Sequence, residues 1–404
     1  MNLKILYLTP SVPYPPHSGG QLRSWHFLRY FAGKGKVTLV AIGNPVRLDP
    51  HVPDLKKLCD RILFADPEKF KVFQSRTQKL LRLQPWLLDD TVDDEILRQI
   101  EQARPEEYDL IVIRYAEMAY HFLTNARLKN LLNKTIVDVD DMDTIILERE
   151  FHDMEMSYRK LTAYWDLVCL KHYYRKLKPI RACFVAGKKD KDHLIQNRVH
   201  TNVFVVPNTY EVNGRILNST SNSPEILFCG TLSYPPNHDA LFYFCNQIFP
   251  TIRETIPEVN LTVIGKNATQ EINHLGDQAG ITVAGYVPCV DPYYEKTSIV
   301  VVPLLNGAGT RIKILEAMAF QRPVVSTSIG AEGLEVTNGK DIFIADKPME
   351  FAQKCIELLR NPDERRRVIW NAYRLVKEKY DLPVFYQAMD NVFEKIMNGG
   401  FKNA

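Results

Sequence analysis

Residues Pro303 to Phe320 read PLLNGAGTRIKILEAMAF and place two cations where a helix should begin. The apolar run Ile299-Val300-Val301-Val302 before them reads as a buried strand that stops at Pro303. A glycine loop follows, Gly307-Ala308-Gly309, then Thr310 as the expected helix N-cap and an apolar helix. The N-terminal end of a helix is the positive end of its dipole, so stability alone would favour acids in the first turn. A capping box would put Glu or Gln three residues after Thr310. Lys313 stands there instead, and Arg311 precedes it. Two cations at that end make sense if the loop Ala308-Gly309-Thr310 and the two side chains together hold an anion with more than one negative charge, such as a diphosphate. Glu316 lies three residues after Lys313 and so on the same helix face. A carboxylate just behind an anion site is well placed to accept hydrogen bonds from ribose hydroxyls. The dull reading of the same residues is a surface helix with an ordinary Lys-Glu pair.

Three further loops carry candidate chemistry. Thr9 to Gly20 (TPSVPYPPHSGG) follows the first strand and opens a helix near Gln21. Gly19 and Gly20 would allow close backbone approach, and the helix start offers free N–H groups to a phosphate. Its dull reading is a proline-rich surface loop. Asp138-Val139-Asp140-Asp141 closes the strand Thr135-Ile136-Val137. Asp140 or Asp141 could orient or deprotonate an acceptor hydroxyl, or the group could be an acidic turn that caps the next helix. Gly230-Thr231-Leu232 and Gly285-Tyr286-Val287-Pro288 each follow a strand of the second half. Tyr286 could stack on a base, although a tyrosine in such a place is more often packing.

The stretch from Pro303 to Glu316-Ala317-Met318-Ala319 resembles the nucleotide-binding signature of the GT-B glycosyltransferases, in particular the large retaining family 4. The resemblance runs over nearly the whole chain and is sharper after residue 224. It implies an α/β, GT-B architecture: two Rossmann-like, doubly wound domains facing a central cleft. It implies that Gly19 and Gly20 face the donor diphosphate, that Gly285-Tyr286-Val287-Pro288 holds the base, and that a terminal helix returns to the first domain. It also implies retention of anomeric configuration, with no metal and no cofactor beyond the donor. The chain departs from the family pattern in places. Asp140 stands where the family has His, with Asp141 matching the Asp that follows. The Arg and Lys that usually grip the diphosphate beside Gly230 are replaced by Thr231 and Pro236-Asn237, which leaves that task to Arg311 and Lys313. The first Glu of the family motif is Ala308 here, so the contact it would make to the donor sugar is missing. A DxD metal site as in GT-A enzymes is the other reading of Asp138 to Asp140, but that fold has one domain and this chain has two α/β halves.

The elements that must position these residues are legible as alternation. Strands are expected at 4–9, 36–42, 109–114, 135–139, 182–186 and 203–206, with helical patterns between them. Residues 207–224, rich in Asn, Ser, Thr and Pro, read as a linker. Strands restart at 225–229, 259–264, 281–284, 298–302, 323–327 and 342–344. The expected domains are 1–206, completed by the C-terminal helix 383–404, and 225–382. Ligands prefer the cleft between such domains and the C-terminal ends of their strands.

Composition agrees. A chain of 404 residues is too long for one compact core. Net charge of +3 implies no field for nucleic acid. Seven cysteines without a CxxC pair argue against zinc and against a disulfide framework, which suits a reduced cytoplasmic setting. The run Ile5-Leu6-Tyr7-Leu8 is too short for a signal peptide, and no stretch reaches the roughly 18 apolar residues of a membrane span. Residues 69–88 carry five cations and no acid, and residues 158–181 add seven beside Tyr158, Tyr164, Trp165, Tyr173 and Tyr174. Such stretches either touch an anionic inner membrane face peripherally or are solvated helix faces.

The expectation is a hexosyltransferase that moves a sugar from a nucleotide-diphosphate sugar to an acceptor hydroxyl on a glycan, glycolipid or small natural product. The alternatives are a sugar-nucleotide epimerase of the same fold and, given Ala308, a catalytically weakened nucleotide-sugar-binding protein.

Overall fold

The computed structural model describes residues 2–44, 52–70, 93–140, 143–153, 157–212, 223–307 and 311–398. By its contacts the chain divides into two compact units, Met1–Pro207 with Tyr386–Ala404, and Asn208–Phe385.

The first unit holds strands β1 (Leu3–Thr9), β2 (Gly35–Ile42), β3 (Arg61–Ala65), β4 (Leu110–Arg114), β5 (Thr135–Asp140), β6 (Ala182–Val185) and β7 (Val203–Val205). They form one sheet in the order β3-β2-β1-β4-β5-β6-β7, with all pairs parallel. Parallel strands are covered on both faces and so read as near-continuous apolar runs. All six residues of β5 are buried, and five of the seven of β1. β3 is the strand the sequence pattern missed. It is a five-residue edge strand opened by the exposed Arg61, and it pairs only with β2.

The second unit repeats the plan with β8 (Glu225–Cys229), β9 (Asn260–Ile264), β10 (Ile281–Gly285), β11 (Ile299–Val302), β12 (Val324–Ser326) and β13 (Phe343–Ile344). The order is β10-β9-β8-β11-β12-β13, again all parallel. Each sheet therefore reverses its strand order once, between β1 and β4 and between β8 and β11. The reversal in an open parallel sheet opens a crevice at the carboxyl ends of the two strands, where ligands bind.

The C-terminal helix Leu382–Met397 packs on the first unit from Tyr386 onward. Asp390 accepts from the Tyr30 hydroxyl at 2.8 Å and from Lys34 Nζ at 2.7 Å. Phe393 lies edge-on to the Tyr30 ring, and Arg181 Nη2 donates to the Ile396 carbonyl. Among the described residues no helix is long and apolar enough to cross a membrane.

Candidate active site

β8 and β11 end side by side at the strand reversal of the second unit. Each runs into a glycine turn. Pro303 ends the β11 ladder because it has no N–H to donate. The backbone on both sides of it is tethered from the end of β12: Ser326 Oγ donates to the Val302 carbonyl at 3.1 Å, and Thr327 Oγ1, just past the strand, donates to the Leu304 carbonyl at 2.5 Å. Gly307 then takes φ +119°, a conformation that glycine tolerates and other residues avoid. The Arg311 guanidinium folds back on it, so that a Cβ at 307 would sit 2.6 Å from Nη2.

Ala308, Gly309, Thr310 and Asp141 lie outside the described residues. The helix spans Ile312–Ala319 with Arg311 in the N-cap position and no side-chain cap bond, one residue later than the expected cap at Thr310. Arg311 can hold that position because its own backbone is extended, φ −81°, ψ 92°.

Lys313 is in the first turn of this helix and reaches across to the β8 turn. Its Nζ donates to Asn237 Oδ1 at 2.7 Å, and Asn237 Nδ2 donates to the Thr231 carbonyl at 2.9 Å. The ammonium also lies 5.3 Å from the centre of the Phe228 ring. Gly230 makes this approach possible, since a Cβ there would fall 2.9 Å from Lys313 Nζ and 2.8 Å from Asn237 Nδ2. Burial, and then the charge of Arg311, push the Lys313 pKa down to about 8, against the raising influence of Cys229 and Glu316. Among the described residues no carboxylate forms an ion pair with it.

Glu316 follows one turn later. The Tyr210 hydroxyl donates to its Oε1 at 3.1 Å and the Tyr294 hydroxyl to its Oε2 at 3.0 Å. Burial raises the Glu316 pKa, while the two phenols and Lys313 pull it back. Tyr286 is exposed, with Lys266 Nζ 5.1 Å from its ring centre, and Val287 packs on the core of the second unit. The sequence pattern brought forward Arg311, Lys313, Glu316 and Gly230, and the structure gathers them around this one reversal. It did not reveal Tyr210 or Tyr294. Neither stands in a motif, and both reach Glu316 only through the fold.

The strand reversal of the first unit corrects one expectation. Asp140 was read as a carboxylate open to an acceptor. It is instead 5% exposed and locked by arginines, with Arg114 Nη2 at 2.5 Å and Arg23 Nε at 3.5 Å. Asp138 is held bidentately by Arg23, at 2.9 and 2.7 Å, and by Arg114 Nη1 at 2.8 Å. Two guanidinium groups take up the carboxylates that a base or a metal would need, so the group is a buried ionic cluster. Asp140 has φ +59°, which turns its side chain back toward the arginines. Arg114 ends an otherwise apolar strand, LIVIR, and that lone charge was the available signal.

Gly19 and Gly20 begin the helix Gly19–Ala32, whose cap is Ser18 accepting from the Gln21 N–H. A Cβ on Gly20 would collide with the Tyr115 hydroxyl, so this glycine is needed for close packing within the unit. Of the basic stretches, residues 71–88 lie outside the described residues. In the helix Tyr158–Arg175, Tyr173 and Tyr174 are buried, whereas Leu161 and Tyr164 are 60% and 53% exposed.

Residues 223–361 match the family model for glycosyl transferases group 1. An uncharacterized 44.6 kDa protein of the cps region of Klebsiella pneumoniae is 24% identical over 391 residues, covering 94% of this chain and 96% of that protein. Sucrose-phosphate synthase from Thermosynechococcus elongatus superposes with a TM-score of 0.71 at 16% identity, covering 98% of this chain and all of the other. HepE from Anabaena, solved in complex with UDP and glucose, superposes with a TM-score of 0.65 at 14% identity, covering 98% and 100%. The chain is a GT-B protein, and its residues 223–361 are a glycosyl transferases group 1 domain.

Proposed function

We propose that this glycosyltransferase takes its sugar, a hexose, from a nucleoside diphosphate sugar and passes it to an acceptor hydroxyl. The observation that carries the reading is Lys313. A half-buried ammonium that has no carboxylate partner among the described residues is costly unless an anion completes it, and this one stands at a helix start beside a glycine turn, where phosphates bind. The donor diphosphate gains charge as the glycosidic bond breaks. Lys313 and Arg311 would stabilise that charge, and fixed cations in a water-poor site do so without reorganising. The Asn237 carbonyl holds the ammonium in place. HepE, solved with UDP and glucose, supports the same class of donor here.

In this reading transfer retains anomeric configuration and uses no metal, as the family resemblance implies. Asp140 has no part in the chemistry. The protein also touches an anionic membrane surface peripherally through Leu161 and Tyr164, whose helix is flanked by cations.

The test is a thermal-shift panel of UDP, GDP, ADP, TDP and their sugars on the wild type and on Arg311→Ala/Lys313→Ala. Stabilisation by one nucleotide, lost in the double variant, would name the donor base. No stabilisation by any nucleotide at millimolar concentration would remove the reading. NMR of the product anomer, turnover in chelator and co-sedimentation with anionic vesicles then decide retention, metal and membrane contact in turn.

A further inference from the structure

Glu316 is gripped in a way that its helix alone does not require. Tyr294, in the helix Asp291–Lys296, is fully buried, and its ring stacks on Phe320 at 4.3 Å with only 3° between the planes. Its hydroxyl donates to Glu316 Oε2 and lies 3.5 Å from Cys229 Sγ at the end of β8. Tyr210 comes from the very start of the second unit's sequence. Its N–H is fixed by the Tyr380 carbonyl at 2.9 Å, its ring leans on the same Phe320 at 6.4 Å, and its hydroxyl donates to Glu316 Oε1. One phenylalanine thus braces both tyrosines, and each tyrosine takes one oxygen of the carboxylate.

A carboxylate has about four acceptor positions. One phenol on each oxygen uses two and fixes the plane of the group, and it leaves one lone pair on each oxygen. Two hydroxyls on neighbouring carbons match that remaining pair. A single hydroxyl would leave one oxygen of a half-buried anion short of a donor, and this shortfall is what makes such sites selective. We infer that Tyr210 and Tyr294 are positioning residues that present Glu316 to both hydroxyls of a ribose, and that they make the site select ribonucleotide donors over deoxyribonucleotide ones. The inference rests on the donor reading above and narrows it: thymidine-type deoxynucleotide sugars are poor donors.

The test measures the affinities of UDP, GDP and ADP, each beside its 2′-deoxy form, and of inorganic pyrophosphate, for the wild type, Tyr210→Phe and Tyr294→Phe. Both variants keep the ring that packs on Phe320 and remove only the hydroxyl. The wild type is expected to prefer the ribose form of its nucleotide on the order of tenfold, the worth of one hydrogen bond to a charged group. Each variant should bring that preference below about threefold while pyrophosphate and the deoxy nucleotide bind as before. An unchanged preference in both variants, even with a lowered Tm, would show that the tyrosines serve packing only. Equal binding of ribose and deoxyribose forms by the wild type would overturn the inference and leave the donor reading standing. Binding of no nucleotide by the wild type would remove both.

Discussion

The Lys313 ammonium and the Asn237 side-chain carbonyl meet at 2.7 Å and join the turn after β11 to the turn after β8. The two residues are far apart in sequence and belong to different strand–helix units. Their contact spans the strand reversal where a ligand would lie. The acceptor is a neutral amide oxygen, so it orients the ammonium without cancelling its charge.

That charge would give the proposed nucleotide binding a pH limit. The Lys313 pKa is pushed down to about 8 by burial and by Arg311. Above that value the unliganded protein must take up a proton to bind a diphosphate. Affinity for the donor nucleotide is therefore expected to be flat from pH 6.5 to 7.5 and to weaken toward pH 9.5, approaching tenfold per unit. Titration calorimetry across this range checks it. Lys313→Arg, which cannot deprotonate there, should lose the limit, and a flat wild-type profile would contradict the assignment.

Gly230→Ala tests the approach of Lys313 to the β8 turn. The new methyl would fall against both Lys313 Nζ and Asn237 Nδ2. The expected result is a stability loss of about 1–3 kcal/mol by overpacking, with nucleotide affinity reduced as the ammonium is displaced. Chemical denaturation with and without nucleotide measures both, and a variant that binds nucleotide as well as wild type would speak against Lys313 as the anion's partner.

The Arg23–Arg114–Asp138–Asp140 cluster should behave as structure. Asp140→Asn keeps a side chain that tolerates φ +59° and removes the charge that faces Arg114. Breaking a buried pair on one side costs about 3–5 kcal/mol, so Tm should fall by several degrees. A general base would show the reverse, an unchanged Tm with turnover lost.

His26 makes the first unit sensitive to acid. It is 1% exposed, and burial, with Arg29 and Arg23 nearby, holds its pKa down at about 3. The unfolded chain takes up this proton below about pH 6.5 and the folded one does not until about pH 3. Stability should accordingly fall as pH drops from about 6.5, by up to about 1.4 kcal/mol per unit from this residue. Denaturation midpoints of the wild type and His26→Gln between pH 7 and 4.5 check it; the two slopes should differ by that increment.

The sheets were legible in the sequence because buried parallel strands are continuous apolar runs, as in IVVV of β11. β3 was not, since a short edge strand headed by an arginine lacks that pattern. Arg311 and Lys313 stood out in the sequence because they oppose the helix dipole, a local conflict that needs no knowledge of the fold. Asp140 was misread for the opposite reason. An acid at a strand end looks open, and the arginines that close it lie on β4 and on the helix Gly19–Ala32. The tyrosines on Glu316 are likewise 106 and 22 residues from it. Pairings across such separations leave no periodicity to read.

The C-terminal helix completes a unit begun at the other end of the chain, with the whole second unit lying between. During synthesis the second unit can finish folding as soon as its own residues emerge, because they are contiguous. The first must wait, with Tyr30 and Phe31 uncovered, until Asp390 and Phe393 leave the ribosome. The half that starts first is thus the half that closes last, and a chain cut after Phe385 would keep every residue of the second unit while its first unit became a target for chaperones.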